Sequence, residues 1–131
     1  MKRSREFLKR RLEVLKARPI SAADGPGFLY PFFETDYMVK VGTTVNPCQR
    51  KRQWNTDCYN PLRVWYDPIP CPNSHRAEAI AHILLEMRCL DRPKRACLTC
   101  GKRHREKFTF NGTRQEILRR VRRVLLRAIS M

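Results

Sequence analysis

Apolar residues along this chain recur at two spacings, and the switches between them outline its elements. From residue 2 to 18, Phe7, Leu8, Leu12 and Leu15 share one side of a helix, with Lys9, Arg10, Arg11 and Lys16 mostly elsewhere. This predicts a basic amphipathic helix that Pro19 ends. Asp24-Gly25-Pro26-Gly27 reads as a turn. Phe28 to Phe33 reads as an aromatic strand, which Pro31 restricts to an edge or a bulge. After the polar turn Glu34-Thr35-Asp36, Tyr37 to Val41 forms a second strand closed by Gly42, and the two runs make a hairpin.

Asn46-Pro47 is a helix start, because Asn caps and Pro suits the first helical position, and a short basic helix is predicted to about Trp54. Leu62 to Tyr66 is a third strand. The three prolines of Asp67-Pro68-Ile69-Pro70-Cys71-Pro72 argue against regular structure there. Ser74 is placed as the cap of a helix over about 75–89, with Ala77, Ile80, Ala81, Leu84 and Leu85 as its apolar face. A cysteine-rich loop (89–106) and a short strand at Phe108 to Phe110 follow. Thr113 and Glu116 form a capping box for a last helix, 113–129. Ile117, Val121, Val124, Leu125 and Ala128 are its predicted core face, and Arg119, Arg120, Arg122, Arg123 and Arg127 its outer face. The order helix, hairpin, helix, strand, helix, strand, helix is an α+β layout. It divides into a basic helix with linker (1–24) and a domain over 25–131.

Composition sharpens this picture. At 131 residues and 42% hydrophobic, the chain can bury one modest core. No apolar run approaches the ~18 residues of a membrane span, and the N-terminus lacks the apolar stretch of a signal peptide. The chain is therefore read as intracellular, and as nuclear if eukaryotic. Twenty-eight Lys and Arg against 12 Asp and Glu leave a net charge of +16. A compact domain with that charge repels itself, and a polyanion relieves the repulsion. Nucleic acid is the commonest such partner. A ribosome-like or chromatin-like structural role and an anionic membrane surface are the alternatives.

The sharpest local chemistry is Cys97-Leu98-Thr99-Cys100-Gly101-Lys102-Arg103-His104. A CxxC turn lets two thiolates bind one ion, and His104 can add an imidazole nitrogen. Zinc takes four such ligands in a tetrahedron. The candidates for the fourth are Cys58, Cys71 and Cys89, and Cys58 is carried in the candidate set. Lys94, Arg95, Lys102 and Arg103 would help keep the thiols ionised. A redox dithiol or space-filling cysteines are the alternatives.

Several separated motifs then add up. Gly27-Phe28-Leu29-Tyr30, Val39-Lys40-Val41-Gly42-Thr43-Thr44-Val45-Asn46, Arg50 and Trp54, Arg76-Ala77-Glu78 with His82 and Leu85, and Cys97 through Phe108 occur in family order. Together they resemble the GIY-YIG nuclease superfamily, and within it the bacteriophage T-five open-reading-frame DNA-binding branch. The resemblance runs from about Gly27 to Phe110. It implies a small three-stranded antiparallel sheet flanked by helices, with the first and last helices added. It also implies cleavage of DNA with one divalent ion, Mg²⁺ or Mn²⁺. By resemblance Tyr30 takes the place of the first signature tyrosine, Arg50 that of the phosphate-steadying arginine, and Glu78 that of the metal-holding glutamate. Lys40 replaces the second signature tyrosine, Thr43 a usual basic residue, and Lys107 a usual tryptophan.

The residue chemistry fits independently. A guanidinium forks onto phosphate oxygens, a carboxylate suits a hard cation, and a phenol can orient water. Taken singly, Tyr30 reads as an ordinary packed tyrosine, Arg50 as one charge among Lys51 and Arg52, and Glu78 as a first-turn acid favoured by the helix dipole. His82 reads as a partner of the metal-holding glutamate or as a core histidine, and Trp54 and Trp65 as core. The expectation is DNA binding through Arg50, Arg52, Arg119, Arg120 and Arg123. Nicking is a further possibility, with Tyr30, Arg50, Glu78 and Lys40 as its candidate residues. The alternative is a zinc-stabilised nucleic-acid-binding module or ribonucleoprotein component without cleavage.

Overall fold

The computed structural model describes residues 2–93, 96–104 and 106–131. It is an α+β fold of four helices and one antiparallel sheet. Helix α1 (Arg5–Ala17) begins at Ser4, whose side chain accepts from Phe7 N–H, and buries Leu8 and Leu12. Strands β1 (Gly27–Phe33) and β2 (Met38–Thr44) form the predicted hairpin, with β2 running past Gly42 to Thr44. Helix α2 (Pro47–Asp57) starts at the Asn46 cap and runs one turn past Trp54, so that Cys58 stands at its end. Two short strands follow, β3 (Val64–Trp65) and β4 (Ile69–Cys71). Helix α3 (Ser74–Arg88), strand β5 (Lys107–Thr109) and helix α4 (Arg114–Ser130) complete the order.

Three local expectations give way to tertiary structure. The sheet has five strands rather than three, in the order β3-β1-β2-β5, with β4 also on β1. The proline-rich stretch 67–72 contains β4, because Pro70 sits on an outer strand where no donor is needed. Pro31 lies in the central strand β1, not at an edge. Its carbonyl accepts from Tyr66 N–H, so its missing N–H faces the break between β3, paired with residues 32–33, and β4, paired with residues 27–29. The lost donor therefore falls where the ladder is already interrupted.

The start of α3 differs as well. Ser74 is its first helical residue, and Asn73 at the cap makes no side-chain bond. Asp24 does the capping from afar: its two carboxylate oxygens accept from His75 N–H and Arg76 N–H, each at 3.0 Å. A carboxylate there satisfies open donors and the positive end of the helix dipole.

The sheet separates two cores. On one face Leu29, Phe33, Val39 and Val41 pack against α1, α3 and α4. The capping box and all five predicted core residues of α4 are present and buried. Glu86, fully buried on α3, is held by Arg3 and Arg92, which push its pKa down to about 2 against the cost of burial. On the other face Tyr30, Phe32, Trp54 and Cys58 form a smaller core, with Trp65, Cys97 and Cys100 against it. Among the described residues, no helix is long and apolar enough to cross a membrane.

Candidate metal centre and nucleic-acid interface

The strand period sends Tyr30 and Phe32 of β1, and Lys40 of β2, to the same face of the sheet as α2. Gly42 lies opposite Tyr30 in the hairpin, and a Cβ there would collide with the phenol ring and hydroxyl. Gly42 thus makes room for Tyr30. The Tyr30 hydroxyl accepts from Arg50 Nε and from Trp54 Nε1, both at 3.1 Å, and keeps its own proton to donate. Arg50 and Trp54 are one turn apart on α2, so one helix face delivers both.

Lys40 continues the row. It is buried, its ammonium lies 5.4 Å from the Trp54 ring centre, and it forms an ion pair with Glu106. Glu78, in the first turns of α3, sits within reach of the same charges. Burial and the Glu106 carboxylate raise its pKa, while Lys40 and a bond from the Thr43 backbone work the other way. Tyr30, Arg50 and Lys40 are therefore brought into one row around Trp54, extended by the Lys40–Glu106 ion pair, whose charges act on Glu78. His82, one turn beyond Glu78, bonds the Val41 carbonyl through Nε2 at 2.8 Å. Burial, aided by the positive charges of Lys40 and Arg92, pushes its pKa down to about 4.

Beside this row Cys58, Cys97, Cys100 and His104 converge, with all four ligand atoms within 4.8 Å of one another. Their spacing and chemistry are compatible with a bound metal ion. Gly101, at φ +77°, allows the tight turn, and its N–H closes back on the Cys97 carbonyl at 2.8 Å. Cys58 Sγ lies 3.7 Å from Cys97 Sγ, and Cys100 Sγ lies 3.1 Å from His104 Nε2. Burial and the neighbouring Cys100 and Cys97 push the Cys58 thiol up to about 12. Burial also works against the Cys97 thiolate, but the Cys100 and Thr99 N–H groups, the Cys58 thiol and the Lys107 charge bring it down to about 7. A cation among these groups would supply the charge that Cys58 lacks. Cys71 and Cys89, the other candidates, are buried elsewhere, bonded to the Gly27 and Glu86 carbonyls. Of the basic residues expected to favour ionised thiols, Lys94 and Arg95 lie outside the described residues, as does Arg105, and Lys102 and Arg103 are exposed.

Three residues that spacing did not single out hold this region together. Buried Arg63 forks onto Glu34 at 2.8 and 3.1 Å, and its guanidinium lies 4.9 Å from the Phe32 ring centre and 5.0 Å from that of Trp54. Lys107 approaches the same Glu34 at 3.6 Å. In the sequence Glu34 falls in a polar turn and Arg63 in the third strand read over Leu62 to Tyr66, and only tertiary packing pairs them. Glu106 lay within a recognised motif but carried no assigned role.

The Cys/His cluster and the row meet at Trp54, whose ring centre is 4.8 Å from that of His104. An open cleft of about 250 Å³ joins them, lined by Arg50, Gln53, Trp54, Lys102 and His104 among others. Arg52 is exposed on α2 but does not line this cleft. Arg119, Arg120 and Arg123 are exposed on α4, which belongs to the opposite layer, so the candidate phosphate contacts divide between two faces.

The model of the family described as "Meiotically up-regulated gene 113" matches residues 36–131, close to three quarters of the chain. No curated protein and no solved structure matches.

Proposed function

We propose that this chain, which belongs to the Meiotically up-regulated gene 113 family, is a DNA-binding domain pinned by a structural zinc ion. The observation that carries the reading is the junction at Trp54, where the Tyr30–Arg50 pair and the Cys58, Cys97, Cys100, His104 cluster share one ring. Zinc–thiolate bonds of about 2.3 Å place two sulfurs of a tetrahedron about 3.8 Å apart, and Cys58 and Cys97 stand at 3.7 Å. Zinc there would hold Cys58 at the end of α2 to the 97–104 turn, and so fix the helix that presents Arg50 and Arg52.

Arg50 has its Nε on Tyr30 and one terminal nitrogen on Gln53, which holds the guanidinium at the cleft where a phosphodiester would lie. The GIY-YIG-like order of Gly27–Tyr30, Gly42, Arg50 and Glu78 supports DNA as the polyanion, and the charge of +16 supports tight, salt-sensitive binding.

A second reading is phosphodiester nicking, and it rests on Glu78. A carboxylate whose pKa is raised by burial and a neighbouring carboxylate gains from a divalent cation. One carboxylate with water and phosphate oxygens suits Mg²⁺ or Mn²⁺. Such an ion would polarise the scissile phosphate, while Tyr30 would orient water and Arg50 would hold the phosphate. Lys40 favours binding over cleavage: it removes one phenol, and its ammonium is committed to Glu106. Incubating the protein with supercoiled plasmid and Mg²⁺ or Mn²⁺, beside Glu78→Ala, decides between the readings. Retarded but intact plasmid is the expected result. Nicking by the parent and not by Glu78→Ala establishes the nuclease instead, and absence of retardation at low salt refutes DNA binding.

A further inference from the structure

The helical layer carries its own cluster of cations, across the sheet from Tyr30 and Arg50. Helices α1 and α4 both pack on α3, and Arg5 of α1, Arg88 of α3 and Arg127 of α4 are all exposed on this packed layer, although they are far apart in the chain. Burial and the positive charges of Arg127 and Arg5 hold the Arg88 pKa below the usual guanidinium value. Arg88 donates to the Leu84 carbonyl at 3.3 Å. Among the described residues none of the three arginines has an acidic partner within ion-pair distance.

The cluster continues along α4. Arg120, Arg123 and Arg127 are spaced i, i+3 and i+7, which puts them on one flank of the helix, and all three are exposed. The one acid of α4, Glu116, is engaged in the capping box. Like charges that converge without a counter-charge repel, and a polyanion relieves that cost. Guanidiniums in particular fork onto phosphate oxygens. A lipid surface fits less well, because the apolar stripe that α4 would insert is already buried against the core.

We propose that this face is a second phosphodiester-binding surface, built on Arg5, Arg88 and Arg127 and continued by Arg123 and Arg120. One chain would then hold two nucleic-acid backbone segments on opposite sides of its sheet. The inference rests on the DNA-binding reading above, and its test separates the two.

A short duplex is fixed to beads, the protein is added, and two quantities are read: protein retained, and capture of a second, fluorescent duplex. The wild-type protein retains and captures. The triple variant Arg5→Gln/Arg88→Gln/Arg127→Gln is retained to within about threefold but loses capture by about tenfold or more, and its salt slope for capture falls by about 2 to 3 units. The triple Lys variant, which keeps the charges, restores capture and excludes a folding defect. Capture by the Gln variant at the wild-type level overturns the second surface, including the case where a dimer bridges the duplexes. Failure of the wild type to capture while still being retained also overturns it and leaves the first reading intact, whereas failure of retention removes both. Preferential binding of phosphatidylserine vesicles through the three arginines overturns it in favour of a membrane.

Discussion

The two faces of the sheet are held together by different physics. The face toward α1, α3 and α4 buries aliphatic and aromatic side chains from the sheet and three helices, so exclusion of water dominates there, with the buried Glu86 held by Arg3 and Arg92 as a charged addition. The face toward α2 has a core of Tyr30, Phe32, Trp54 and Cys58, flanked by buried Arg63, Glu34 and Lys40 and by a four-ligand cluster. Ion pairs and cation–aromatic contacts do there what apolar burial does opposite. Such contacts are directional, and a buried charge is costly once its partner leaves. The difference teaches that one face specifies the fold through apolar packing, while the other depends on its charges and carries a ligand cluster compatible with a metal ion.

The comparison can be broken most forcefully in the apolar layer. Phe33→Ala, in a fully buried position, is expected to cost about 3–5 kcal/mol in urea unfolding. A cost below that of an ordinary surface change would mean the layer is not the main core. Acidification is next. His82 has a folded pKa of about 4, below its unfolded value near 6.5. The unfolded chain therefore binds the extra proton between those values, and stability falls as pH drops from about 6.5 to 4, by about 2 kcal/mol or more. His82→Gln should flatten urea midpoints measured across that window.

Gly42→Ala sharpens the contrast on the other face. The new methyl meets Tyr30, so a cost of about 1–3 kcal/mol is expected, together with weaker DNA binding through the displaced Tyr30–Arg50 pair. Calorimetry and fluorescence anisotropy report the two effects. The smallest effect on stability belongs to Arg50→Ala, about 0.5–1.5 kcal/mol from its lost bond to Tyr30, which keeps the Trp54 donor. Its signature is instead a slope of log affinity against log salt that is shallower by about 1. An unchanged slope would remove Arg50 from the interface.

Elements whose start and period are written locally were legible in the sequence. The Asn46-Pro47 start of α2, the Thr113/Glu116 box of α4 and the buried stripe of α4 all follow from near neighbours. Strand β4 and the central place of Pro31 were not legible, because each depends on which strand lies alongside. The same holds for the cap of α3, since Asp24 is some fifty residues away in sequence. In the cluster, Cys97, Cys100 and His104 share one turn and can be read directly. Cys58 could not be told from Cys71 and Cys89 by spacing, as all three are buried and each sits near the end of an element. Arg63 and Glu34 were invisible, because a charged residue shows its partner only once the chain is folded.

The most direct measurement is the affinity of one duplex for zinc-loaded protein and for protein stripped of metal, followed by anisotropy at fixed salt. Stripping is predicted to weaken binding by about tenfold or more, with re-added zinc restoring it, and to leave the helical circular-dichroism signal of the apolar layer largely in place. Equal affinity with and without metal would contradict the claim that the Cys58, Cys97, Cys100, His104 centre holds the DNA-binding face in shape.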